Sequence, residues 1–292
     1  MNHSKLAIRT LGALGAAALM VTGVAATPAA AQTFVPCTTD TLAGAITDAN
    51  TSGGTLALAP GCIYTLTTPL PSIQNTIVIE GDGATISRDP AAPAFRILTV
   101  DSTGNLDLRD AIIANGDATG EFGGGIRNDG TLTVRRSLIR DNHADFAGGI
   151  GGNTGSNTNV EHSLITANSA LHNGGGLGND GTMTIDNSTV VNNNALELGG
   201  GVANDGTLNV SQSNVYDNSA SGPTGAGGGI ANFGAAGTTT LTRSKVTSNF
   251  ATNAPGGVFN NGGSVTLDFT AVLANIPTNC YGSPTAVPGC VA

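Results

Sequence analysis

Residues 174–193 read GGGLGNDGTMTIDNSTVVNN, and this stretch decides the fold because the chain repeats it. Residues 199–218 read GGGVANDGTLNVSQSNVYDN, and residues 123–142 read GGGIRNDGTLTVRRSLIRDN. Copies of the phrase recur at a spacing of about 25–28 residues, which lies in the range that marks solenoids built from stacked coils. The repeat therefore predicts an architecture before it says anything about chemistry.

Three columns of residues can be drawn through the repeat, and each column takes one residue from every coil. The column that ends the glycine corner is Ile126, Ile150, Leu177, Val202, Ile230 and Val258. The inward column of an alternating strand is Val134, Val160, Ile185, Val210, Leu241 and Leu267. The third column is Asn142, Asn168, Asn193, Asn218, Asn249 and Asn275. Stacking at about 4.8 Å would bury a continuous core and let the asparagine amides hydrogen-bond along the axis.

The strand pattern gives the fold class. We expect about three short strands in each coil and about eight or nine coils in the chain. Glycine suits corners with positive φ or close backbone approach, and asparagine tolerates the left-handed region. No helical pattern of about 10–15 residues separates the strands, which disfavours α/β solenoids. The sequence predicts an all-β, single-domain, right-handed parallel β-helix.

One helix is predicted, over residues 41–50, with Thr39 or Asp40 as its N-cap. The apolar residues with helical spacing are Leu42, Ala45, Ile46 and Ala49. Because a stack of coils exposes an apolar end, we interpret this helix as an N-terminal cap. The expected organisation is a signal peptide at residues 1–31, a cap with the helix at 32–62, the parallel β-helix at 63–276, and a C-terminal disulfide cap at 277–292.

The start of the chain has the pattern of a secretory signal peptide. Lys5 and Arg9 precede an uncharged, small and apolar run, and Ala29 and Ala31 form an A-x-A cleavage signal. A membrane anchor is the alternative, but Pro28 and the cleavage signal favour removal of residues 1–31. We therefore expect a secreted, extracellular or cell-surface protein with no membrane-spanning segment after cleavage.

The charge of the chain bears on its partners. The sequence has 11 Lys and Arg against 20 Asp and Glu, and removing Lys5 and Arg9 brings the net charge from −9 to −11. An acidic surface argues against nucleic acid and against docking on anionic lipid. Trp is absent and aromatic residues make up 4%, which weakens the case for a carbohydrate platform of stacked rings. We expect a monomer whose partner is an extracellular glycan or a host or cell-surface component.

Four cysteines lie near the ends of the mature chain, and an exported chain can keep disulfides. Four cysteines permit three pairings, and proximity favours Cys37–Cys62 and Cys280–Cys290. No C-x-x-C or partnered histidine accompanies them, so a metal site at the cysteines is disfavoured.

The repeat resembles that of polymorphic outer membrane proteins. In that family Gly-Gly-Ala and an aliphatic residue are paired with Phe-x-x-Asn, whereas here the third position is Gly and the Phe is aliphatic, as in Val190-x-x-Asn193. The resemblance covers residues 123–275 and implies a surface or secreted β-helix with a role in adhesion. We expect no C-terminal translocator barrel after the repeat, in contrast to the autotransporters of that family.

Several residues could carry chemistry instead. Asp180 and Asp205 share one repeat position and could hold calcium through carboxylate oxygens, or each could belong to an Asn-Asp-Gly turn. His172 and Glu197 align in adjacent coils, where they could do acid–base work or be exposed loop residues. Apart from the calcium alternative we expect no cofactor.

These features leave three functions open. A non-catalytic, adhesin-like or structural β-helix is the leading hypothesis. An extracellular polysaccharide lyase or glycoside hydrolase of the pectin-lyase-like type is the alternative, and it requires carboxylates gathered in a groove. A minor alternative is ice binding through outward T-x-T rows such as Thr182 and Thr184, although threonine is also a common exposed strand residue.

Overall fold

A computed structural model describes residues 32–291, and the predicted signal peptide lies outside this range. The described chain is a parallel β-solenoid of about nine turns with one short helix near its start, which confirms the predicted fold class. Its strands, numbered β1 to β32 in chain order, form four parallel sheets that run along the axis, with each strand paired to its counterparts in neighbouring coils.

Sheets A and B are the two larger sheets, with ten and nine strands. Sheet A consists of β1 (Gln32–Val35), β2 (Gly54–Leu58), β4 (Thr76–Glu80), β7 (Asn105–Arg109), β11 (Thr131–Arg135), β15 (Asn157–Glu161), β19 (Thr182–Asp186), β23 (Thr207–Ser211), β27 (Thr238–Thr242) and β31 (Ser264–Asp268). Sheet B consists of β3 (Ile63–Leu66), β5 (Thr85–Arg88), β8 (Ile112–Ala114), β12 (Leu138–Arg140), β16 (Leu164–Thr166), β20 (Thr189–Val191), β24 (Asn214–Tyr216), β28 (Lys245–Thr247) and β32 (Ala271–Leu273).

Sheets C and D flank the glycine corner. Sheet C consists of β6 (Leu98–Val100), β10 (Ile126–Asn128), β14 (Ile150–Gly152), β18 (Leu177–Asn179), β22 (Val202–Asn204), β26 (Ile230–Phe233) and β30 (Val258–Asn261). Sheet D consists of β9 (Asp117–Phe122), β13 (His143–Phe146), β17 (Ser169–Ala170), β21 (Asn194–Ala195), β25 (Ser219–Ala220) and β29 (Phe250–Ala251). The regular coils therefore have four strands rather than the expected three, because the two-residue strands of sheet D are too short to show a periodic pattern.

The predicted columns occupy aligned positions in the solenoid. Leu177 pairs with Val202 in sheet C and Ile185 pairs with Val210 in sheet A, and all four side chains are buried. Parallel pairing satisfies the backbone groups of each strand, while the inward aliphatic side chains form one core from the first strand to the C-terminal tail.

The asparagine column is a ladder of buried amides. In each link the side-chain nitrogen donates to the side-chain oxygen one coil further on, as from Asn193 to Asn218 at 3.0 Å. The left-handed backbone that we expected at the asparagine lies instead on the residue before it, for example Asn192 and Asp217 with φ of 55° and 53°. The ladder asparagine can then extend inward and bond the next coil.

A second ladder of asparagines was not expected from the Asn-Asp-Gly phrase, whose asparagine looked like a turn residue. Asn179 donates to Asn204 at 2.7 Å, Asn204 donates to Asn232, and Asn232 donates to Asn260. All four are buried. The phrase therefore contributes an interior ladder as well as a corner.

Helix α1 spans Thr39–Ser52 and begins earlier than predicted. Its N-cap is Thr38, whose hydroxyl accepts a hydrogen bond from the amide of Thr41 at 3.3 Å. Leu42 and Ile46 are fully buried, and the helix packs against the first strands of the solenoid. The region before the helix also forms β1, which pairs with β2 and which the sequence pattern did not predict.

Both predicted disulfides are present. Cys37 bonds Cys62, which ties the chain just before α1 to the residue before β3. Cys280 bonds Cys290 in the C-terminal tail, where the amide of Thr285 donates to the carbonyl of Asn260 at 3.0 Å. Among residues 32–291, no helix is long and apolar enough to cross a membrane.

Candidate functional site

A groove of about 310 Å³ lies on the outer side of sheet C over β18 and β22. We call it the aromatic groove, and its lining residues are Phe122, Phe146, Asn173, Gly178, Asn179, Asp180, Ala203, Asp205 and Phe233. These residues come from five successive coils, so only stacking of the coils brings them together.

The floor of the aromatic groove is made of small residues. Because side chains alternate along a strand, the central residues Gly178 and Ala203 of β18 and β22 face away from the core. A Cβ atom built on Gly151, one coil earlier, would come 2.3 Å from Cε1 of Phe122, and one on Gly178 would come 3.4 Å from Cε2 of the same ring. The Phe122 ring therefore rests directly on glycine backbone, which a larger residue would prevent.

One wall of the groove is a column of side chains from neighbouring coils. Phe122 is aligned with Phe146 in the pairing of β9 with β13. The ring of Phe146 stacks on the ring of His172, with centroids 4.7 Å apart and planes 19° from parallel. Nδ1 of His172 lies 3.0 Å from Oε1 of Glu197 in the next coil, and both side chains are half-exposed. The His172–Glu197 pair thus supports the aromatic wall from outside.

The opposite wall carries two carboxylates. Asp180 and Asp205 directly follow Asn179 and Asn204, which are paired in the register of β18 and β22. The pKa of Asp180 is raised, mainly because its carboxyl group is partly desolvated and secondarily because the carboxylate of Asp205 is near. The residue as a whole remains exposed. Within residues 32–291, neither carboxylate has a salt bridge or a side-chain hydrogen bond. Two negative charges therefore share one partly enclosed space.

The third aspartate of the same repeat position has a different environment. Asp129 pairs with Arg127, whose Nε lies 2.9 Å from Oδ2, and accepts a hydrogen bond from Asn153. Its carboxylate is compensated, and it does not line the aromatic groove. The shared Asn-Asp-Gly phrase therefore does not give its three aspartates a shared role.

The structure brings both of the candidate pairs from the sequence to one place. Asp180 and Asp205 lie on one wall, and His172 and Glu197 stand behind the other. The phenylalanines were not identified from the sequence, because only the low aromatic content of the whole chain was considered. Three of the eight Phe residues line this one groove. The available signal was positional, since Phe122 and Phe146 immediately precede the aligned glycine corners of two coils.

The metal-ligating capacity of the site is limited. Across residues 32–291, no group of three or more His, Cys, Asp or Glu side chains is placed to hold a metal ion. Asp180 and Asp205 would offer calcium only two carboxylates from the protein, while Ca²⁺ takes six to eight oxygen ligands. The groove is better suited to an organic ligand, which can contact rings and carboxylates together.

The T-x-T rows lie on the outer face of sheet A. Thr182 is aligned with Asn157 and Thr207, and Thr184 is aligned with Asn159 and Asn209. Asparagine thus interrupts both rows within the same three coils. The rows are polar, and on the same face they lie beside a column of charged side chains that includes Arg135, Glu161 and Asp186.

No family model matches the sequence, and a search of the curated proteins finds no match either. The fold and the site therefore define the protein as a disulfide-containing parallel β-solenoid of about nine turns that has an aromatic, acidic groove on its side.

Proposed function

We propose that the protein is a secreted or cell-surface, adhesin-like β-solenoid that binds an extracellular glycan in the aromatic groove and does not transform it. The observation that carries the proposal is the convergence of Phe122, Phe146 and Phe233 on one groove that also contains Asp180 and Asp205. The solenoid acts as a rigid support, and we expect it to bind as a monomer.

The groove suits sugars for a physical reason. A pyranose ring has apolar C–H faces that pack on phenyl rings, and it has hydroxyl groups around its rim that donate hydrogen bonds to carboxylate oxygens. A site with convergent polar groups and apolar walls satisfies both requirements. The side-chain nitrogen of Asn173 adds a donor at the same groove, while its side-chain oxygen accepts from the backbone amide of Leu198 at 3.0 Å.

Export and surface location are supported by three features of the chain. Residues 1–31 have the pattern of a signal peptide. Two disulfides with no free cysteine among residues 32–291 suit an oxidising compartment. The repeat also resembles that of polymorphic outer membrane proteins, in which adhesion is the associated role.

A glycan array probed with residues 32–292 tests the proposal. We expect selective binding, and we expect Phe146→Ala to weaken it on the order of tenfold, since one buried aromatic contact contributes about 1–2 kcal/mol. Phe269→Ala is the matched control, because Phe269 is 85% exposed and does not line the groove. An array without any binding, or equal losses in the two variants, would contradict the proposal.

Glycoside hydrolysis is a second candidate, and one observation favours it. The pKa of Asp180 is raised next to the carboxylate of Asp205, and glycosidases use such a pair as general acid and as base or nucleophile. If this candidate is correct, bound oligosaccharides will be shortened, and Asp180→Asn will abolish product formation while leaving the ligand bound. Binding without turnover in the wild-type protein would exclude hydrolysis of the ligands tested.

A further inference from the structure

The charge of the aromatic groove restricts what it can bind. Its lining contains two carboxylates and no Lys, Arg or His side chain. Some acidic groups elsewhere on the solenoid have cationic partners: Arg136 lies 2.7 Å from Asp110, and Arg109 lies 2.6 Å from Asp107. Among residues 32–291, Asp180 and Asp205 have no such partner, and they line one groove together with phenyl rings.

The phenyl rings of the groove also favour a cationic ligand. Phe122, Phe146 and Phe233 line the groove beside Asp180 and Asp205, so a ligand in the groove meets apolar rings and carboxylates together. The faces of aromatic rings also attract cations, and grooves that combine rings with carboxylates are suited to ammonium groups. Rings and carboxylates thus favour the same kind of ligand.

We propose that the ligand of the aromatic groove is an amino-sugar glycan whose protonated amine lies between the phenyl rings and the carboxylates of Asp180 and Asp205. This inference rests on the proposed function and names its ligand class. An acidic glycan is disfavoured, because its carboxylates would be repelled by those of Asp180 and Asp205. A neutral sugar leaves the paired negative charges without a counter-charge.

The dimensions of the groove agree with a short segment of such a glycan. A volume of about 310 Å³ lies at the lower end of the range for small-molecule sites. Gly178 and Ala203 are buried, and the Phe122 ring lies over Gly178, so a sugar ring would pack against the phenyl rings above this floor. A lysine-containing peptide is the competing cationic ligand, but its flexible chain offers no flat ring face to pack on the phenyl rings.

Calorimetric titration with two matched tetrasaccharides tests the inference. The probes are the tetramer of β-1,4-linked glucosamine and its fully N-acetylated, uncharged counterpart, measured at a mildly acidic pH with residues 32–292. We expect the amine form to bind at least tenfold more tightly. We also expect Asp205→Asn to lower the affinity for the amine form at least fivefold without changing that for the acetylated form.

The controls separate charge in the groove from charge in general. Asp82→Asn removes one carboxylate outside the aromatic groove, and asparagine tolerates the φ of 44° at that position, so this variant should bind like wild type. Phe233→Leu keeps an apolar side chain but removes a ring, and it should weaken the amine form more than the acetylated form. Circular dichroism verifies that each variant is folded.

Three results overturn the inference. Equal or tighter binding of the acetylated tetramer would show that the charge is not recognised, while the proposed glycan binding would stand. Tighter binding of a lysine tetrapeptide than of the amine tetramer would assign the groove to a peptide. If neither these tetramers nor any array glycan binds, the proposed function fails together with the inference.

Discussion

The side-chain nitrogen of Asn168 lies 3.0 Å from the side-chain oxygen of Asn193 in the next coil, and both residues are buried. Nδ2 of Asn193 also donates to the backbone carbonyls of Ile165 and Val191. The backbone amide of Asn168 donates to Oδ1 of Asn193. One side chain therefore satisfies polar groups of its own coil and of both neighbouring coils, in an interior where unpaired groups are costly.

Replacing a ladder asparagine should destabilise the solenoid strongly. Asn193→Ala leaves the amide of Asn168 and the carbonyls of Ile165 and Val191 without this partner, so we expect a loss of about 3–4 kcal/mol in the free energy of unfolding. Chemical denaturation measures the loss. The control is Asn209→Ala, at an exposed outward position, which should change stability by no more than about 0.5 kcal/mol. A similar effect of both changes would show that the ladder is not a source of stability.

Much of the fold could be predicted from the sequence, because residues at the same position of successive repeats pair with one another when the coils stack. Once Val160, Ile185 and Val210 occupy the same phase of successive repeats, parallel pairing must align them, and the structure does so. The helix face was equally readable, since Leu42 and Ile46 have helical spacing and both are buried.

The sheet D strands and the aromatic groove could not be predicted from the sequence, and each has a physical reason. A strand as short as Ser169–Ala170 cannot show alternation, and it is a strand only because neighbouring coils pair with it. The aromatic groove depends on residues that break the repeat. Phe122 and Phe146 line the groove because two irregular segments align and because Gly151 has no side chain in the space that the Phe122 ring occupies. Neither condition can be seen in the local sequence around the two phenylalanines.

The two disulfides should differ in their contributions to stability. Cys37–Cys62 closes a loop with a sequence separation of 25, and Cys280–Cys290 closes one of 10. Loop-closure entropy gives about 3 kcal/mol for each, with the longer loop ahead by about 0.8 kcal/mol. Paired Cys→Ala variants, compared by chemical denaturation against the oxidised wild type, check both the size and the order. Equal losses, or a larger loss at the C-terminal pair, would contradict the entropic account.

Asp180 should make stability depend on pH. Its pKa is raised above the ordinary 3.8 by burial and by Asp205, so its ionised form is less favourable in the folded state than in the unfolded state. The ionised group therefore lowers stability above the raised pKa, the penalty fades as the pH falls through that pKa, and it is absent below 3.8.

Asp180→Asn removes this penalty and should stabilise the protein at pH 7 but not at pH 3. Solvent screening keeps the effect small, so we expect Tm to rise by about 1–2 °C at pH 7. Thermal unfolding at the two pH values measures it, with Asp82→Asn as the exposed control that should leave Tm nearly unchanged. A gain of the same size at pH 3 would rule out ionisation as the cause. A variant that is more stable and binds more weakly would be typical of a charge retained for function.

Gly151→Ala tests whether the position of Phe122 shapes the groove. The new Cβ atom would lie 2.3 Å from Cε1 of Phe122 and 3.1 Å from Cβ of Ala147, so the ring at the end of its side chain must move. The backbone of Gly151 is outside the left-handed region, and alanine is therefore allowed there. We expect a folded protein with a free energy of unfolding within about 1 kcal/mol of wild type, and glycan affinity reduced on the order of tenfold.

NMR signals of the Phe122 ring report its displacement independently of any ligand, and titration with the glycan selected on the array reports the affinity. Gly44→Ala is the control, because a Cβ atom at this exposed position of α1 meets nothing within 4 Å. It should leave binding unchanged while raising stability by about 1 kcal/mol through helix propensity. If Gly151→Ala shifts the Phe122 signals but binds as wild type does, the ring does not contact the ligand. If the signals stay in place, another part of the structure absorbs the added methyl group and the glycine is not what sets the groove's shape.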